Sequence, residues 1–430
     1  MLKRWCFIGI CLIFMACSNE SGIQDQLIQL HEESPAARVL IIGFDGATWD
    51  MFLPAMEQGK MPVLQDLITR GVRAALETIK PTLTPVIWTT IATGKLPEQH
   101  GVQSVVDRDP VSGRMLPVSS GTVRVKTMWD VVGDHGKDAT IVRWPVTWPA
   151  SPISGEIVTD YAFQSGRLHR AYPDELSSLV DSRRVSAHLP DIRALTGVTE
   201  AMYDRMAPVW QWKLMVLLRE YALDVQYKDI ARTLFETRQR DLTTVYFYSL
   251  DALGHNFYKF VSGSPEGDEP DFREMVMNWC WLYDQFLGEI LQSIDPKTYV
   301  FVCSDHGMEQ AMTPQNFLVR AENQPPIVGE TAEEMSVPPA PPYDADPFSV
   351  KLQYTLPSGQ HVNKPDGIFV LSGPRTKVDW QAPRVHATEI APTVFYLLDI
   401  PVAADLAGTV RLDLFDPDFI RSHPVKKTAT

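Results

Sequence analysis

Along this chain, short continuous runs of apolar and β-branched residues recur at wide intervals. They are "VLIIGF" (Val39–Phe44), "ATIVRW" (Ala139–Trp144), "TTVYFYSL" (Thr243–Leu250), "TYVFVCS" (Thr298–Ser304) and "GIFVL" (Gly367–Leu371). Runs that do not alternate with polar residues predict strands covered on both faces. Between them, "MPVLQDLITRG" and "KTMWDVVGDHG" carry helical periodicity and are expected to close on Gly71 and Gly136. Strand and helix in alternation predict an α/β fold, a mainly parallel central sheet with helices on both faces. In such sheets, ligands bind beyond the carboxyl ends of the strands. Residues 149–241 carry few strand-like runs and read as a mostly helical cap insertion, leaving 39–148 and 242–420 as the main body. Residues 322–347 hold seven prolines and read as an irregular loop.

The amino terminus follows a different pattern. Lys3 and Arg4 precede the apolar run "WCFIGICLIFMA", which is shorter than the roughly 20 residues needed to span a bilayer. Residues 1–16 therefore read as a signal peptide of lipoprotein type, with Cys17 the lipidated mature amino terminus and residues 17–38 a polar tether. A plain secretory signal or an uncleaved anchor is the alternative. Export places the protein in the periplasm or, through a lipid anchor, at the outer membrane of a bacterium. Of the five cysteines, Cys280 and Cys303 remain after the signal, too few for a disulfide framework. The composition, 45% hydrophobic and 21% charged, is that of a globular protein. A formal net charge of −14 excludes a broad surface for duplex nucleic acid. Nothing in the sequence sets an oligomeric state.

The apolar runs end in a shared chemistry. "VLIIGF" leads to Asp45-Gly46, "TTVYFYSL" to Asp251 with His255 four residues on, and "TYVFVCS" to Asp305-His306. A fourth element begins after His386. Singly, each has a structural reading: a turn residue, a helix-face pair, a capped turn, a satisfied histidine. Together, carboxylates converging on one sheet edge repel unless a cation neutralises them. Carboxylate with imidazole suits zinc or another borderline divalent ion. His31, His135, His169, His188 and His423 have no such setting.

The stretch "PTLTPVIWTTIATGKLPEQHG" holds a candidate nucleophile. Thr84 reads as the N-cap of a helix with Pro85 at its first position. A hydroxyl there also sits where a phosphate would bind. Thr82 is the rival, and Trp88, Trp144 and Trp148 are candidate pocket walls or core residues.

"IIGFDGATWD", "TLTPVIWTTIATGKLPEQHG", "SLDALGH", "SDHGM" and "HATEIAPTVFYLLDIP", in this order from about Val39 to Pro401, resemble the alkaline phosphatase superfamily. Within it, the chain is most similar to the type I phosphodiesterase/nucleotide pyrophosphatase branch. The resemblance implies an alkaline phosphatase-like catalytic domain and two metal ions, zinc in kind. One would be held by Asp251, His255 and His386, the other by Asp45, Asp305 and His306 together with the Thr84 oxygen. It further implies Thr84 as nucleophile, through a phosphothreonine that is later hydrolysed. In that branch an asparagine follows the nucleophile by three residues; here Ile87 stands there. No Cys/Ser-x-Pro-x-Arg sequence is present to supply a sulfatase nucleophile.

The expected activity is an exported, metal-dependent hydrolase of phosphoric esters, diesters foremost, on small molecules such as nucleotides or on lipid headgroups. Phosphomonoester hydrolysis and phosphoethanolamine transfer are the enzymatic alternatives. A lipoprotein that keeps the fold as a binding module is the non-enzymatic one.

Overall fold

The computed structural model describes residues 37–108, 113–184, 195–267, 269–311, 358–363 and 365–429. The signal-like segment, Cys17, the tether up to residue 36 and the loop at 322–347 lie outside them. Residues from Arg38 onward form one unit.

Ten strands make the central sheet: β1 (Val39–Phe44), β2 (Gly71–Glu77), β3 (Ala139–Val142), β4 (Gly155–Val158), β5 (Ala171–Tyr172), β6 (Leu242–Phe247), β7 (Tyr299–Cys303), β8 (Gly367–Ser372), β9 (Trp380–Gln381) and β10 (Val385–His386). Their order is β9–β2–β8–β7–β1–β6–β3–β4–β5, with β10 also paired to β2. β1 lies parallel between β6 and β7, and β3 is parallel to both β6 and β4. β8 runs antiparallel to β7 and β2, and β5 antiparallel to β4. Every residue of β1, β3, β6, β7 and β8 is buried, as unbroken apolar runs require. The main helices are α1 (Trp49–Glu57), α2 (Pro62–Thr69), α3 (Thr84–Thr93), α4 (Met128–Asp134), α5 (Pro208–Thr237), α6 (Ser249–Phe257), α7 (Arg273–Leu291) and α8 (Ile390–Leu397). None among the described residues is long and apolar enough to cross a membrane.

Several expected boundaries shift for physical reasons. β3 stops at Val142 because Arg143 adopts φ +57, a left-handed turn no strand continues through. β6 stops at Phe247 because the amides of Tyr248 and Ser249 turn to donate to the Asp224 carboxylate, each at 3.0 Å, and open α6. Asp251 therefore sits in a helix's first turn rather than on a strand. Gly71 starts β2, a strand the apolar pattern does not announce, while Gly136 does follow a helix, at φ +71. The stretch expected as a cap supplies β4 and β5 to the sheet edge and α5 to its helical layer. The apolar side chains of α5, including Leu214, Leu217, Leu218 and Ile230, join the same core as β1 and β6.

Candidate metal centre and active site

β6, β1 and β7 are adjacent in the sheet and end at the same edge. Asp45 follows β1 directly, Asp305 and His306 follow β7 by two and three residues, and Asp251 and His255 share one face of α6 at i,i+4 spacing. Gly46, at φ +67, permits the approach: a Cβ there would stand 2.9 Å from the Asp251 Cα.

The three carboxylates are built alike, with one oxygen held by protein donors and the other left bare. Asp45 Oδ2 accepts from the Trp88 indole at 3.2 Å and the Tyr246 hydroxyl at 2.5 Å. Asp251 is hydrogen-bonded by the Tyr248 side chain, and Asp305 Oδ1 accepts from the Gly46 amide at 3.4 Å. The remaining atoms, Asp45 Oδ1, Asp251 Oδ1 and Asp305 Oδ2, are buried without a partner, and so is His306 Nε2. These four face one another. His306 Nε2 stands 3.5 Å from Asp45 Oδ1, 3.4 Å from Asp305 Oδ2 and 4.0 Å from Asp251 Oδ1.

The imidazoles are oriented the same way. His306 Nδ1 donates to the Gly307 carbonyl at 2.9 Å and His255 Nδ1 to the Gly359 carbonyl at 3.2 Å, so each turns an Nε2 lone pair toward the carboxylates. His255 Nε2 is 3.5 Å from Asp251 Oδ1.

Two groups of potential ligands result, Asp45 with Asp251 and His306, and Asp251 with His255 and His361; the donor atoms of each lie within 4.8 Å of one another. Asp305 joins the first through its contact with His306. His361 was not among the residues the sequence singled out. Its ring stacks on His306 with centroids 4.0 Å apart, stands 5.2 Å from His255, and hydrogen-bonds the Thr82 backbone. It reaches the site because β8 is antiparallel: the residues just before that strand arrive at the edge where β1, β6 and β7 end.

His386, expected as a ligand, stands in neither group. It lies on β10, separated from β7 by β2 and β8. The helical turn that His386 opens packs against α3, while its ring nitrogens do not come within 4.8 Å of all the donors of either group. Its Nδ1 bonds Thr388 Oγ1 at 2.8 Å, and its amide donates to Glu389. It caps a short helical turn, and it is His361 that stands with Asp251 and His255.

Burial sets the electrostatics. It raises Asp45 to about 6, against the opposing hydrogen bonds of Tyr246 and Trp88. It lifts Asp305 well above the usual carboxylate range, where neighbouring Asp45 and Asp251 add to the effect, and raises Asp251 as well. It lowers His306 and His361. Protein alone thus drives the acids toward neutrality and keeps the imidazoles unprotonated. A divalent cation offsets the first and uses the second. Bare buried oxygens and a bare imidazole nitrogen fit such an ion in donor type.

Thr84 is the first residue of α3, with Leu83, not Thr84, at the N-cap. Among the described residues its hydroxyl takes no hydrogen bond, so it is not spent on capping. Trp88, one turn along the same helix face, reaches Asp45, while the loop before the helix touches His361 through Thr82. The half-buried Thr84 hydroxyl stands at a helix amino terminus, one turn before the Trp88 that bonds Asp45. Thr82 is buried, its hydroxyl 3.5 Å from the Ile79 carbonyl. Trp88 and Trp144 are fully buried and form no pocket wall; Trp148 is half-buried beneath Arg167, whose guanidinium lies 4.1 Å from its ring.

The model of the type I phosphodiesterase / nucleotide pyrophosphatase family matches residues 39–337. Among solved structures, human ectonucleotide pyrophosphatase / phosphodiesterase 5 is similar at 15% identity with a TM-score of 0.53, covering 88% of this chain and 100% of that one. An inactive variant of the murine protein in complex with AMP is similar at 15% identity and a TM-score of 0.52, with the same coverage. No protein of curated function matches the sequence. The matched residues span well over half of the chain, which belongs to the type I phosphodiesterase/nucleotide pyrophosphatase family of phosphoric ester hydrolases.

Proposed function

We propose that this protein is an exported phosphodiesterase that uses Thr84 as nucleophile and holds two divalent metal ions, zinc in kind. Asp251, His255 and His361 would hold one, and Asp45, Asp305 and His306 the other. The observation that carries this reading is the set of four bare, buried donor atoms turned toward one another, with an uncommitted threonine hydroxyl one helical turn before the Trp88 that bonds Asp45. When bound, the ions supply positive charge that lowers the hydroxyl's pKa and stabilises the phosphoryl oxygens.

The chain's own residues do the rest. Thr84 Oγ1 attacks phosphorus as its proton passes to solvent; the bond to the departing alcohol breaks, and the alkoxide takes a proton from solvent. Water then attacks the same phosphorus, which frees Thr84 and releases a phosphomonoester. The Thr84 amide, left open where Pro85 has no N–H and the Val86 and Ile87 amides bond Leu83, orients the phosphoryl group at the start of α3. Ile87 lies buried inside α3 and supplies no polar donor, so orientation falls to the helix end and the ligand groups.

The substrates are small phosphodiesters, nucleotides or lipid headgroups. The charged start, short apolar run and Cys17 support export with a lipid anchor in the periplasm or at the outer membrane. The test is turnover of a chromogenic phosphodiester and its matching monoester by wild type, Thr84→Ala and Thr84→Ser, with metal content measured alongside. Thr84→Ala is expected to lose more than about a thousandfold in kcat with its metal retained. Undiminished activity would move the nucleophile to Thr82.

A further inference from the structure

Behind the site lies a fully buried ion pair that contributes no metal ligand. Arg143, just past β3, donates to Asp224 in the middle of α5; the two are 6% and 0% exposed. Burying two charges costs more than their attraction returns unless the geometry has another use, and apolar replacements often serve as well. Arg143 also holds φ +57, unfavourable for a residue with a Cβ. This pair touches both ligand groups.

Asp224 reaches the group of Asp251, His255 and His361 through α6. Its oxygens accept the amides of Tyr248 and Ser249, each at 3.0 Å, and the Tyr283 hydroxyl at 2.6 Å. The Tyr283 oxygen in turn accepts the Leu250 amide at 3.1 Å. Three successive amides at the amino end of the helix carrying Asp251 and His255 are thereby fixed. Arg143 reaches the group that holds Asp45 through Tyr246. Its guanidinium lies 5.8 Å from the centroid of that ring and 4.7 Å from that of Tyr227, and the Tyr246 hydroxyl donates to Asp45 Oδ2. Glu220 completes the surroundings, 3.8 Å from the guanidinium.

We infer that Arg143 and Asp224 are a positioning pair that aligns both ligand groups from behind, Asp224 by anchoring the start of α6 and Arg143 by seating the phenol that aims Asp45. The inference rests on the two-metal reading above. It makes α5, in the stretch the sequence marks as an insertion, a part of the site's framework.

The experiment measures zinc retention. Zinc-loaded full-length wild type, Asp224→Asn and Tyr246→Phe are dialysed against graded EDTA, with residual zinc read by elemental analysis and folding by thermal melts. Tyr246→Phe removes only the hydroxyl aimed at Asp45. It is expected to release about one zinc per chain at a chelator level ten- to a hundredfold lower than wild type, as loss of an outer hydrogen bond to a ligand does. Asp224→Asn is expected to shift both zinc ions. Should Asp224→Asn fail to fold, Tyr283→Phe tests the helix arm by removing only the hydroxyl between Asp224 and Leu250. Folded variants that hold zinc as wild type does overturn the positioning role while leaving the two-metal reading intact. A folded wild type that takes up no zinc overturns both.

Discussion

The indole of Trp88 donates to Asp45 Oδ2 across 3.2 Å, linking the helix that opens at Thr84 to the strand that ends at Asp45. The same ring lies over Gly43, where a Cβ would stand 2.6 Å from its edge. It cannot retreat, being fully buried between Trp144 and Tyr246, with centroids 5.0 and 5.3 Å away. Gly43→Ala is therefore expected to destabilise the fold by about 1–3 kcal/mol. Urea unfolding reads this directly, and an unchanged midpoint would mean the ring has room to move.

The two histidines that compete for one ligand position separate cleanly by metal content. His361→Ala is expected to leave about one metal ion per chain fewer than wild type under the same dialysis. His386→Ala is expected to keep wild-type metal and lose only about 0.5–1.5 kcal/mol of stability, the worth of a capping hydrogen bond. The reverse pattern in elemental analysis would return His386 to the site.

His100 gives a pH dependence of known sign. It is fully buried, with Nε2 3.0 Å from Thr90 Oγ1 and Nδ1 accepting the Val102 amide at 3.2 Å, an arrangement that suits the neutral ring. Burial lowers its pKa from 6.5 to about 4. Above pH 6.5 both folded and unfolded chains carry it neutral. As pH falls from 6.5 toward 4, the unfolded chain binds a proton that the native one does not, and stability drops by up to about 3 kcal/mol. His100→Gln is expected to flatten this slope in unfolding curves taken between pH 7 and 4.5; a slope identical to wild type would place the titrating group elsewhere.

Cys280 and Cys303 are free, fully buried thiols, and burial pushes the first up to about 12 and the second higher still. Both are expected to resist alkylation at pH 8 in the native protein and to react once denatured, as thiol-labelling mass spectrometry will show. Rapid native labelling of either would contradict the packing around β7 and α7.

Asp45, Asp305 and His306 were legible in sequence because each follows an unbroken apolar run, and a strand buried on both faces can end only at the sheet edge. Asp251 and His255 were legible by spacing, although the strand–helix boundary was not. It is set by Asp224, twenty-four residues before Tyr248, and no local pattern marks that contact. His361 escaped because its position depends on the direction of β8. "GIFVL" reads as a strand in either sense, and only pairing against β7 puts its preceding residues at the ligand edge. The available hint was a histidine six residues ahead of a buried strand, in a polar stretch opening on Gly359. His386 shares the edge and its turn packs on the helix of Thr84, yet it stands outside both ligand groups; lateral strand order is not written in the spacing of motifs.

The order β6–β1–β7 has a consequence for how this site can change. Neighbouring strands lie about 4.8 Å apart, a pitch set by backbone hydrogen bonding that no side-chain substitution alters. Metal pairs that clamp a phosphoryl group work at about 3.5–4 Å. Asp45 and the Asp305–His306 pair leave the ends of two neighbouring strands, β1 and β7, so the span between them is taken from the sheet itself, as from a fixed gauge. A carboxylate lengthened by one methylene, as in Asp45→Glu, would be out of scale with it.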